Sequence, residues 1–163
     1  MRKSIYFAFI VAVITVFGIS SNESYSLRPS TIKKVESKRM LVLIDPRLRP
    51  YYLEVAQRLN LEGINPNRQD AISIMMGALP KGILGMALGM FVDNVTNVMI
   101  SEAYWYGLSE PQRRALLWHE LAHDLFNVEH GSVEIMTTSM ARIDMNNIDQ
   151  MVDELINYIK NGR

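Results

Sequence analysis

All three histidines of this 163-residue chain fall in one short stretch, HELAHDLFNVEH, from His119 to His130. On an α-helix His119 and His123, four residues apart, project from one face about one turn apart, so both imidazoles can reach a single metal ion. Glu120 sits beside them. HExxH on a helix is the pattern of a zinc site, with two histidine ligands and a glutamate serving as general base toward water. The chain contains no cysteine, which excludes disulfides, iron–sulfur clusters and thiolate zinc sites, so a metal here rests on nitrogen and oxygen donors. The competing reading of any one histidine on an apolar face is a hydrogen-bonded core residue. Against it stand a third histidine that follows at once and the absence of histidine elsewhere.

These residues need a helix to present them, and the sequence supplies its start. Ser109 is followed by Glu110 and Pro111 in the first turn and by Gln112 three residues after the cap, which predicts a helix over Glu110 to Phe126. Its apolar residues Ala115, Leu116, Ala122 and Phe126 flank the histidine face, placing the imidazoles at a boundary between core and cleft. Leu117 and Trp118 read as packing groups. Asp124 reads as a solvated acid; the alternative is a group that orients a ligand or binds a backbone amide.

From Ser109 to Met140 the chain resembles the metzincin group of zinc peptidases, whose motif HExxHxxGxxH is followed by a methionine-containing turn. It also resembles small predicted metallopeptidases of bacteria and phages that share a longer histidine spacing. The resemblance implies that His119, His123 and His130 ligate Zn²⁺, that Glu120 is the base, and that Met136 in EIMTTSM is the turn methionine beneath the metal. It implies an α+β, zincin-like fold: a small twisted mixed sheet with a backing helix, an active-site helix and a C-terminal helix.

The departures from that pattern are specific. Six residues, not five, separate His123 from His130, and Phe126 stands where the group has the glycine that lets the chain leave the helix. Asn127 tolerates the left-handed conformation and is expected to end the helix one position later, matching the extra residue. Thr137 and Thr138 follow Met136 where some metzincins place a tyrosine, which leaves oxyanion stabilisation to the metal and to backbone donors. In another zincin class the third ligand is a glutamate from a later helix, so Glu129, Glu134, Asp144, Asp149, Asp153 and Glu154 form a competing set. The stripe Ile148, Met151, Val152, Leu155, Ile156 and Ile159 predicts a final helix that ends near Gly162 and carries most of those acids on its wet face. His130 is therefore preferred.

Upstream, Met40 to Ile44 is a short apolar run suited to a strand or an extended lead-in. Leu48, Tyr51, Tyr52, Val55, Ala56 and Leu59 recur at helical spacing, which predicts a helix with Pro50 in its first turn that ends near Gly63. Tyr51 and Tyr52 read as packing. Ala71 to Met76 reads as a strand, followed by a loop, a strand near Met86 to Val92, a turn at Asp93 and Asn94, and a strand from Asn97 to Ala103. Gly85 and Gly89 would let another backbone approach, as a cleft-lining edge strand paired with an extended peptide requires; a bulged edge strand without a ligand is the alternative.

Composition sets the outer bounds. With 48% hydrophobic residues the chain supports one domain, placed here at 39–163. Seventeen basic and seventeen acidic side chains give no electrostatic case for nucleic acid. The first twenty residues carry Arg2 and Lys3, then an apolar run from Ile5 to Ile19, the layout of a secretory signal or a short N-terminal anchor. Removing them leaves a net charge of −2 from the totals of 17 and 17. Residues 21–38 read as a linker or arm. The expectation is an exported (periplasmic or extracellular) or membrane-anchored zinc metalloendopeptidase with a polypeptide substrate, touching membrane only through the N-terminal segment. An inactive zinc-binding scaffold or inhibitor and an exported structural protein with an incidental HExxH are the rivals.

Overall fold

Two buried strands form the centre of the fold. In Ala71–Gly77 the residues Ile72 and Ile74 turn inward, and in Val95–Ser101 Thr96, Val98 and Ile100 do so, the period-two alternation of a sheet with one covered face. The computed structural model describes residues 41–66, 70–89, 94–140 and 143–161. The expectations for the signal or anchor segment and the arm lie outside the described residues, as do those for Met40, residues 90–93 and Gly162. No helix among the described residues is long and apolar enough to cross a membrane.

In chain order the elements are β1 (Leu41–Ile44), α1 (Arg49–Leu61), β2 (Ala71–Gly77), β3 (Gly85–Ala87), β4 (Val95–Ser101), α2 (Glu102–Trp105), α3 (Glu110–Phe126) and α4 (Ile148–Asn161). Short 3₁₀ turns lie at Glu134–Met136 and Met145–Asn147. The sheet order is β1-β2-β4-β3; β1, β2 and β4 run parallel and β3 runs antiparallel to β4 at the edge. This is a mixed α/β chain with a small mixed four-stranded sheet, compatible with the expected α+β class.

Two strands differ in extent from the sequence reading, and α1 agrees with it. The strand expected near Met86–Val92 is β3, which begins at Gly85 and ends at Ala87. Expected from Asn97 to Ala103, the next strand runs from Val95 to Ser101 and gives way to the short helix α2, in which Ala103 lies. Helix α1 begins at Arg49, with Pro50 in its first turn where a missing N–H costs nothing, and ends at Leu61 before Gly63, whose φ is 75°. Asn94 takes a positive φ of 65° at the expected turn.

Helix α3 occupies the predicted residues, and the Ser109 N–H donates to Gln112 Oε1 (2.8 Å), the return bond of a capping box. It packs on β3, β4, α1 and α4. Leu117 and Trp118 are buried on it, and Leu155, Ile156, Met151, Val152 and Ile148 form the buried stripe of α4. The Arg114 guanidinium on α3 bridges Glu54 of α1 at 2.7 Å and Asp149 of α4 at 2.8 Å. Tyr52 is buried, while Tyr51 stacks edge-on to Trp105 (5.3 Å between ring centres) and donates its hydroxyl to Glu110.

Candidate metal centre and cleft

The exit from α3 decides where His130 goes. Asn127 adopts φ 50°, ψ 37°, the left-handed conformation, and ends the helix there. The Val128 N–H then turns back to the Ala122 carbonyl (3.2 Å), and the chain reverses toward the helix. Gly131, with φ 81°, makes the next bend, and its N–H closes on the Met136 carbonyl at 2.9 Å. An asparagine at the break thus does the work expected of glycine, because its short polar side chain lowers the cost of a positive φ.

As a result the three imidazoles converge. Nε2 of His119 lies 3.1 Å from Nε2 of His123 and 3.2 Å from that of His130, and the remaining pair stands at 3.0 Å. His119 and His123 are buried and His130 is exposed, so the cluster sits at the floor of an opening. Each buried ring is oriented from behind: His119 Nδ1 meets the Ile135 carbonyl at 2.8 Å, and His123 Nδ1 meets the Val128 carbonyl. A carbonyl only accepts, so both rings carry their proton on Nδ1 and turn bare Nε2 lone pairs toward each other. Two lone pairs at 3.1 Å repel unless a cation stands between them. Tetrahedral zinc with N ligands at about 2.0–2.1 Å separates those ligands by about 3.3 Å, close to the observed triangle. The three histidines lie close enough to bind one metal ion.

Burial also keeps these rings neutral. It pushes the pKa of His119 down to about 4, and lowers that of His123, against the opposing pull of the carbonyls behind them. A neutral imidazole is the form that binds metal.

None of the competing acids joins the cluster. Glu129 and Glu134 are exposed, Asp144 caps the 3₁₀ turn at Asn146, Asp149 pairs with Arg114, Asp153 with Arg58, and Glu154 accepts from Gln150. Among the described residues the three histidines form the one group with metal-binding geometry. Met136 is fully buried, in the turn whose Ile135 carbonyl holds His119.

Glu120 is buried, and the desolvation of its carboxyl raises its pKa to about 7, partly opposed by a hydrogen bond from the Ala87 N–H. A cation on the imidazoles would draw it down again. With His119, His130, Leu116 and Gly82 to Gly85 it lines a cleft of about 470 Å³, walled on the far side by Thr137, Thr138, Ser139 and Met140.

At Asp124 the alternative reading, a group that binds backbone amides, holds and the preferred one does not. Instead of a solvated acid the residue is a buried carboxylate, accepting from the Gly89 N–H at 2.7 Å (Oδ2) and the Asn97 N–H at 3.2 Å (Oδ1). Burial raises its pKa to about 6 despite those two donors. Gly85 and Gly89 make room for side chains of α3. A Cβ on Gly85 would lie 2.6 Å from Glu120 Oε1, and one on Gly89 would lie 2.5 Å from the Val95 carbonyl and 2.6 Å from Asp124 Oδ1. What the glycines let approach is the acidic face of α3. The signal was present as two acids four residues apart on one helix face and two glycines four apart in an apolar run, yet neither spacing names its partner.

Compared with protein-family models, curated proteins and solved structures, the chain shows no match.

Proposed function

We propose that this chain is a zinc-dependent metallopeptidase of zincin type, exported or membrane-anchored, that cleaves polypeptides in the cleft over His119, His123 and His130. The observation that carries the reading is the triangle of Nε2 atoms at 3.0–3.2 Å with the buried Glu120 carboxylate at the same cleft. When bound, zinc would supply Lewis acidity, acidifying water and polarising the scissile carbonyl. Glu120 takes the proton of the attacking water and returns it to the departing amine as the C–N bond breaks. Its environment supports that role: the Ala87 N–H holds the carboxylate in place beside the histidine cluster. Carbonyls of Ile135 and Val128 keep the ligand rings in the tautomer that presents Nε2. An extended peptide would lie along the cleft wall formed by Gly82 to Gly85, where β3 begins, since the outward amides of Ala87 and Gly89 are already engaged by α3.

The test is digestion of a mixed peptide library by the purified chain with and without chelator, alongside Glu120→Gln. The expected result is near-stoichiometric zinc in both proteins, with cleavage in the wild type alone and abolished by chelation. Undiminished cleavage by Glu120→Gln would remove Glu120 from the mechanism, and a chain that holds no zinc would end the metallopeptidase reading.

A further inference from the structure

The edge strand β3 is only three residues long, and its outer side would ordinarily be left open. The ladder shows which groups face which way. Ser101 N–H donates to the Leu84 carbonyl at 2.8 Å and Leu88 N–H to the Asn97 carbonyl at 2.7 Å, so residues 84, 86 and 88 turn toward β4. Gly85, Ala87 and Gly89 therefore direct their N–H groups the other way. Two of those outward amides end on α3: Ala87 on Glu120, and Gly89 on Asp124.

The periodicities match. Four residues of helix advance about 6 Å along the axis. Two residues of strand advance about 6.6–6.8 Å. Carboxylates at positions 120 and 124 can thus serve consecutive outward amides at 87 and 89 with the helix lying along the strand. Asp124 does more than accept from β3. Its second oxygen takes the Asn97 N–H of β4, so one carboxylate ties the end of the β3–β4 ladder to the helix that carries the histidines. Gly89 makes this possible, because any side chain there would collide with both the acid and the Val95 carbonyl.

We propose that Asp124 is a positioning residue that anchors β3 on α3 one turn beyond Glu120, so that Ala87 holds the Glu120 carboxylate beside the histidine cluster in the space that Gly85 leaves. It touches no reacting atom; it sets where the strand lies, and the strand sets where Glu120 lies. The part of this statement that concerns catalysis rests on the metallopeptidase reading, whereas the anchoring does not.

The experiment is Asp124→Asn in the zinc-loaded full chain, with Asp124→Ala as companion, read by backbone amide hydrogen exchange, zinc titration and peptidase kinetics. Wild-type Ala87 and Gly89 amides should be protected although they face outward from the edge strand. In Asp124→Asn, protection at Gly89 and Asn97 should drop roughly tenfold or more. Protection at Ala87 should fall with it, and that at Ile74 in the centre of the sheet should not. Zinc stoichiometry should hold while kcat falls at least tenfold and KM moves less than threefold. If neither variant folds, unprotected Ala87 and Gly89 amides in the wild type would overturn the anchoring, and protected ones would uphold it. Unchanged Ala87 exchange in a folded Asp124→Asn, or an activity loss that only tracks the unfolded fraction, would likewise overturn it. If the wild type cleaves no peptide, the peptidase reading falls and the exchange pattern still decides the anchoring.

Discussion

Replacing Gly85 with alanine separates the chemistry of the site from its stability. The new Cβ would lie 2.6 Å from Glu120 Oε1, 2.7 Å from its Cγ and 2.8 Å from its Cδ. Ordinary contact begins near 3.5 Å, so either the carboxylate or the strand must retreat by about 0.9 Å. The strand is held by its ladder to β4, whereas the glutamate turns about its own side-chain bonds, so the carboxylate yields. Because Cγ is crowded as well as the carboxylate and the side chain is buried, the overpacking costs about 1–3 kcal/mol and lowers the melting temperature by a few degrees. Misplacing a proton acceptor by about 1 Å costs on the order of a hundredfold in rate. Gly85→Ala should therefore fold, melt a few degrees below the wild type, bind zinc with unchanged stoichiometry, and lose about two orders of magnitude in kcat on a fluorogenic peptide taken from the library digest. A kcat within threefold of the wild type would refute the placement of Glu120 against β3. Loss of zinc along with activity would refute the claim that Gly85 serves the base and not the ligands.

Two further outcomes follow from other parts of the site. Asn127→Val puts a β-branched residue at φ 50°, which should destabilise the chain by about 1–2 kcal/mol and weaken zinc binding by displacing His130, with Asn127→Gly close to wild type in a competition titration. In the metal-free chain the Glu120 carboxyl is raised from 4.5 to about 7, so its contribution to stability is present below pH 4.5 and is lost as pH rises through 7. Glutamine does not titrate; melting curves in chelator should show Glu120→Gln gaining on the wild type from pH 4.5 to 7 and holding that advantage above, and a constant difference across that window would refute the burial of the charge.

The legible parts of this chain were those governed by local rules. The capped start at Ser109 and the extent of α3 follow from hydrogen-bonding needs within one turn, and the stripe of α4 follows from helical period. The left-handed exit at Asn127 was readable from a one-residue insertion and the conformational tolerance of asparagine. Strand ends were less readable, because β3 stops where Asp124 takes over the Asn97 amide, a contact 27 residues away in sequence. The choice between the two readings of Asp124 is hidden from sequence for the same reason: an acid on a helix is solvated or buried according to what packs against it, and that is a property of β3 and β4.

By itself, the sequence determined which atoms are available: three imidazoles, one adjacent carboxylate, no thiolate, and a helix that sets two of the rings one turn apart. Tertiary structure alone decided that the third imidazole comes within 3.2 Å of the others, that the Ile135 and Val128 carbonyls fix the tautomer, and that a glycine of the edge strand and another just past its end lie against two acids of the helix. The physical reason is range. Spacing along a helix is settled by its own hydrogen bonds, whereas convergence across a loop and contact between a strand and a helix depend on which surfaces the core brings together.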